Sequence, residues 1–118
     1  MTSSTETRTI IRVLKEFQKA DPDITLPSIL AFLLVNERDG QSQNQAYVEE
    51  KLEMSNATTS RAISYWAKYK KPRTPGLNML ESLPDPEDRR YNLITLNRTG
   101  LALIEKIRSA FNGDEKGK

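Results

Sequence analysis

Apolar residues along the first two thirds of the chain recur at helical spacing, and the elements follow from where that spacing starts and stops. Between residues 5 and 20, Ile10, Val13, Leu14 and Phe17 share a face among lysines and glutamates. This predicts an amphipathic helix, ended by Asp21-Pro22 because proline cannot continue it. Thr25 stands at an N-cap position with Pro27 in the first turn, where its missing N–H costs nothing. Residues 26–38 are then apolar nearly all round (Ile29, Leu30, Phe32, Leu33, Leu34, Val35), the pattern of a central buried helix, stopped by Asp39-Gly40. Residues 41–45 read as a polar linker. Residues 46–53, with Val48 and Leu52 four apart, form a short helix. Met54-Ser55-Asn56 breaks it, and Ser55 caps a further helix over 57–70. The inward stripe of that helix is Thr59, Ile63 with Ala62, and Trp66. Its outward face is Thr58, Arg61, Ser64 or Tyr65, and Lys68.

The period then changes. Residues 71–76 (KPRTPG) carry two prolines and a glycine and read as a loop. Residues 77–83 suggest a strand with Leu77, Met79 and Leu83 facing inward, and 84–88 (PDPED) a turn. Residues 89–96 set Tyr91, Leu93 and Thr95 against Asn92, Ile94 and Leu96, a second strand that closes a hairpin. Asn97 caps a last helix over 98–111, and 112–118 read as a flexible tail. The expected fold is mainly α with a two-stranded β wing near 77–96, and with Trp66 largely buried. It is a single domain over 1–111: a helix-turn-helix at about 44–70, the wing, and a C-terminal helix over 97–111. Two helices joined by a tight turn and followed by a hairpin make a winged helix-turn-helix. In that arrangement the second helix, here 56–70, enters a major groove about 12 Å wide, and the wing reaches the backbone or the minor groove.

Composition narrows the function. A chain of 118 residues with 36% hydrophobic content suits one domain. It has no Cys and no His, so it has no disulfide framework, no thiolate zinc site and no Ser-His-Asp chemistry. The longest apolar run, residues 29–35, falls far short of the ~20 residues of a membrane span, and the N-terminus lacks a signal-peptide layout. Asp85, Glu87 and Asp88 cluster, but their prolines and arginines mark a turn rather than a cation site. A cytoplasmic non-enzyme is expected, with no catalytic residue, metal, cofactor or membrane contact. The net charge is only +2, yet residues 57–76 hold Arg61, Lys68, Lys70, Lys71 and Arg73 and no acid, which makes a candidate phosphate-binding surface.

Two stretches resemble a known family. Residues 52–66 (LEMSNATTSRAISYW) look like the helix-turn-recognition-helix core of MarR-type winged-helix transcriptional regulators, and 85–103 (DPEDRRYNLITLNRTGLAL) look like their wing. That wing carries an acidic residue, a spacer and an arginine, here Asp88, Arg89 and Arg90. An alternating strand follows, then a leucine, a helix cap and a glycine, here Leu96, Asn97 and Gly100. The cap in the family is usually Thr. The resemblance covers roughly residues 25–110. The chain departs from the pattern in its basic, proline-containing insertion over 68–75 and in its shortness, as in a phage-like member.

The resemblance implies a regulator that binds double-stranded DNA, as a homodimer through the apolar stripes of the terminal helices (Ile10, Leu14, Phe17; Leu103, Ile104, Ile107, Phe111). No small-molecule effector is expected. Asn56, Thr58 and Ser60 lie in the first turns of the recognition helix, where side chains meet base edges or phosphates. Arg61 suits a bidentate contact to guanine O6 and N7, with a surface ion pair or plain phosphate contact as the alternative. Tyr65 suits a thymine methyl, a phosphate or half-buried packing. Trp66 could stack on a base, but its spacing from Thr59 and Ile63 argues for core. Lys68, Lys70, Lys71 and Arg73 suit phosphates. In the family role Arg90 pairs with Asp88 to shape the wing and approach DNA, while Arg89 points to phosphate or minor groove. Two other functions stay open. One is a winged-helix protein–protein adaptor in a transcription, replication or repair complex, favoured by the acids Glu49, Glu50 and Glu53. The other is single-strand binding through Tyr65, Trp66, Tyr69 and Lys70.

Overall fold

The elements run α1 (Thr2–Ala20), α2 (Leu26–Val35), β1 (Gln43–Asn44), α3 (Gln45–Leu52), α4 (Asn56–Trp66), β2 (Tyr69–Lys71), β3 (Thr74–Pro75), β4 (Leu80–Pro84), β5 (Asn92–Leu96) and α5 (Arg98–Lys116). The structure, a computed structural model, describes the backbone of residues 2–37, 42–67, 69–71, 74–87, 90 and 92–116. It describes the side chains of all of these except 2–4, 69–71, 74 and 112–116. Thr25–Leu101 forms one compact unit, and Met1–Ile24 with Ala102–Lys118 forms another.

Within Thr25–Leu101 the helix ends follow local chemistry. Thr25 takes the extended N-cap conformation, but its side chain caps no backbone N–H and instead shares a 3.0 Å hydrogen bond with the Ser28 hydroxyl. Asn44 caps α3, its side chain accepting from the Ala46 N–H at 2.7 Å. Glu53 closes α3 in the left-handed region (φ 53°), and Met54 N–H donates back to the Glu49 carbonyl. Ser55 then caps α4 as expected, accepting from the Thr58 N–H at 3.1 Å. Residues 53–55 are thus the tight turn of the helix-turn-helix.

The buried face of α4 is Thr59, Ala62, Ile63 and Trp66. Trp66 is wholly buried, 4.6 Å from Phe32 between ring centroids, and its indole N–H donates to the Ser28 carbonyl at 2.7 Å. The polar edge of the ring is satisfied and its apolar body packed, so the core reading of Trp66 holds. Ile29, Ala31, Phe32, Val35, Val48, Leu80 and Ile94 also belong to this core. In the other unit Thr9, Phe17, Leu103, Ile104 and Ile107 are buried.

Several expectations need correction. The sheet at the wing has three strands, not two: β1 pairs with β5 (Gln43↔Ile94, Asn44↔Leu93), and β4 pairs with β5 from Leu80↔Leu96 to Pro84↔Asn92. The supposed linker over 41–45 therefore contains an edge strand. Helix α4 stops at Trp66 rather than Lys70, and part of the expected loop over 71–76 belongs to a second hairpin, β2–β3. In β4 the buried residue is Leu80, while Leu83 is exposed. Helix α2 is not buried all round, because Leu26, Leu30 and Leu33 form an exposed stripe at i, i+4, i+7. Helix α5 continues past Phe111 to Lys116, into the expected tail. Helix α2 ends at Val35 with Asn36 as its C-cap, not at position 38, so it stops before Asp39-Gly40, which lies outside the described residues.

Candidate nucleic-acid interface

The outward face of α4 is built on its anchored inward face. Arg61 is exposed, and its Nη2 donates to the Thr58 hydroxyl at 3.4 Å. Thr58 also accepts from the Ser55 hydroxyl at 3.0 Å, so the cap, Thr58 and Arg61 make one chain along the first two turns. Tyr65, one turn further on, is half-buried and meets the Trp66 ring edge-on at 5.3 Å. A groove of about 630 Å³ runs beside this face, lined by Thr25, Pro27 and Ser28 and by Thr58, Arg61 and Tyr65 among others. Thr58, Arg61 and Tyr65 therefore share one surface, and the Arg61 guanidinium lies beside Thr58 on it.

Asn56 and Ser60 are engaged by the preceding helix. The Asn56 amide donates to Glu49 at 2.7 Å, and the Ser60 hydroxyl accepts from the Gln45 amide at 3.0 Å. Gln45 also reaches Glu49 at 3.4 Å. The sequence reading missed Gln45 and took Glu49 only as one of three acids suited to a protein partner, although their i, i+4 polar spacing on α3 was a usable signal.

Asn44 was missed at the wing. Its side chain caps α3 through Oδ1 and donates through Nδ2 to the buried Asp85 carboxylate at 2.7 Å. The other Asp85 oxygen accepts from the Glu87 N–H at 2.9 Å. One asparagine therefore ties the helix-turn-helix to the turn between β4 and β5. Arg90 is exposed in that turn. Arg89 and Asp88 lie outside the described residues, as do Lys68 and Arg73. Lys70 and Lys71 lie in β2.

Asn97 caps α5 as expected, accepting from the Gly100 N–H at 2.9 Å, and its amide also donates to the Asn78 carbonyl at 2.7 Å. Gly100 is needed for close approach: a Cβ there would collide with the Met79 carbonyl oxygen. Among the described residues no helix is long and apolar enough to cross a membrane.

No protein-family model and no curated protein sequence matches the chain. Solved structures do. Rv1404 from Mycobacterium tuberculosis superposes with a TM-score of 0.68 at 16% identity, over 92% of this chain and 68% of that one. A mutant MarR from Escherichia coli, solved with operator DNA, gives 0.64 at 15% identity, over 96% and 72%. The PcaV transcriptional regulator from Streptomyces coelicolor, solved with its natural ligand, gives 0.57 at 18% identity, over 80% and 60%. The chain thus spans 60–72% of the length of these three proteins. The helix-turn-helix, its three-stranded winged sheet and the flanking long helices are the fold of the MarR-type winged-helix regulators.

Proposed function

We propose that the chain is a sequence-specific double-stranded DNA-binding protein, a transcriptional regulator, that places α4 in the major groove and the β4–β5 wing on the backbone or minor groove. The observation that carries this is the exposed Arg61, seated on a helix whose opposite face is locked by Trp66 and whose start is capped by Ser55. A base-reading arginine needs such a rigid support, because a bidentate contact to guanine tolerates little misplacement. Thr58 and Tyr65 flank it. Asn56 and Ser60 reach DNA by exchanging their contacts to Glu49 and Gln45. Arg89, Arg90, Lys68, Lys70, Lys71 and Arg73 serve phosphates, which position the protein without reading sequence. The fold shared with a MarR protein solved on operator DNA supports this assignment.

The protein acts as a homodimer through its terminal helices. Ile10, Leu14 and Phe111 remain exposed there by 59%, 44% and 52%. Apolar surface of this kind marks an interface, and two-fold pairing suits half-sites about one helical turn apart. The exposed Leu26, Leu30 and Leu33 stripe favours a second function, the protein–protein adaptor.

Selection from a randomised duplex library separates the two. The regulator enriches one motif, and methylation of a guanine N7 within it blocks binding. Absence of enrichment, with binding that depends on salt alone, overturns the regulator assignment in favour of the adaptor.

A further inference from the structure

The β2–β3 hairpin leaves the end of α4 and returns to the same place. Helix α4 ends at Trp66, and β2 begins at Tyr69. After Pro75 the backbone is stitched onto the end of the helix. Leu77 N–H donates to the Tyr65 carbonyl at 3.2 Å, Met79 N–H to Trp66 at 2.7 Å and Asn78 N–H to Ala67 at 3.1 Å. Such terminal carbonyls have no partner within a helix, so the returning strand is their cap. Gly76 permits this approach, because a Cβ there would collide with the Ala67 carbonyl oxygen and stand 2.9 Å from that of Tyr65. Asn78 takes up the left-handed conformation (φ 55°) that completes the return. The base of the hairpin is thereby fixed to the recognition helix.

Charge and length then place it. Lys70 and Lys71 lie on β2, whose register is Tyr69↔Pro75 and Lys71↔Thr74. No acidic residue occurs from position 57 to position 76. At the other end of α4, Asn56 is held by the Glu49 carboxylate, so negative charge lies at the start of the helix and positive charge follows its end. The 11 residues of α4 rise about 16 Å, more than the ~12 Å width of a major groove. With the first turns of α4 on base edges, its last turn emerges at the edge of the groove, where a phosphate strand runs.

We propose that the β2–β3 hairpin is a second wing, an arm that holds the phosphate backbone bordering the major groove at the C-terminal end of α4. The proposal rests on the duplex-DNA function above. The arm senses charge and reads no bases, so it strengthens binding to every duplex alike and adds to the salt dependence.

The test is a salt series of affinities, on the selected motif and on a scrambled duplex, for the full chain. It compares the wild type with two double variants. One is Lys70→Ala with Lys71→Ala, which alters the arm without touching its backbone seat. The other is Lys15→Ala with Lys106→Ala, which removes the same charge from exposed positions on α1 and α5. The arm variant is expected to flatten the slope of log K against log salt by about two units, roughly 0.9 for each phosphate that is no longer neutralised. It should weaken both duplexes by the same factor, and the control should flatten the slope by less than half as much. An arm variant that matches the wild type or the control overturns the proposal while leaving α4 as the reader. A loss confined to the selected motif also overturns it, because the arm would then read bases. A wild type that binds neither duplex removes the DNA-binding function itself, and the arm with it.

Discussion

Arg61 and Trp66 lie on opposite faces of α4, and each determines what the other can do. Trp66→Ala would leave a large cavity against Phe32 and remove the donor to the Ser28 carbonyl. The expected loss is about 3–5 kcal/mol of stability, read by denaturant unfolding. Thr59 is the opposite case. It is fully buried and its hydroxyl has no partner among the described residues, a group that costs stability where it stands. Thr59→Val keeps the shape and removes that hydroxyl, and a gain of about 1 kcal/mol is expected in the same measurement; a loss would mean that the hydroxyl is satisfied. Arg61→Ala belongs to the outward face. It should weaken the selected duplex by roughly 1–3 kcal/mol and leave the scrambled duplex nearly unchanged, as measured by equilibrium titration. Equal weakening of both would reduce Arg61 to a phosphate contact.

At the scale of elements, what can be read in the sequence depends on how local its causes are. The inward stripe Thr59, Ile63, Trp66 and the caps Ser55 and Asn97 are legible because periodicity and capping act within a few residues. Strand β1 is not, because two residues cannot show an alternation and its partner β5 lies about fifty positions away. The end of α4 is hidden because Ala67 to Lys70 contain no helix breaker; the helix is stopped by backbone from 77–79 occupying its last carbonyls. Helix α2 reads as buried on every side because composition alone does not say which face is covered. In the candidate site, the outward Arg61 is legible from helical phase, whereas Asn44 is not, because its value comes from an Asp85 it meets only in the fold. Asn44→Ala deletes the α3 cap and a hydrogen bond to a buried carboxylate together. A loss of about 1–3 kcal/mol is expected by thermal melting, with faster amide exchange in β5 as the sign that the wing base has loosened. Unchanged exchange there would show that β1–β5 pairing holds the wing without Asn44.

For the whole molecule, assembly and sequence preference are linked by geometry. A domain with one groove-reading helix gains a second half-site only by pairing, and in the proposed homodimer the exposed Ile10 and Leu14 on α1 with Phe111 on α5 supply the apolar surface. Ile10→Glu with Leu14→Glu should convert the proposed dimer to monomer in sedimentation, while unfolding stays cooperative. A wild type that sediments as monomer at concentrations on the order of tens of micromolar would remove the dimer and leave the recognition helix intact. The central claim, that this fold reads a DNA sequence through α4, is tested most directly by titrating the wild-type chain with the selected and the scrambled duplex at several salt concentrations. The predicted result is a preference of about 10³-fold or more, which persists as both affinities fall with added salt, because base contacts set the ratio and phosphates set the slope. Equal affinities at every salt concentration would contradict the claim.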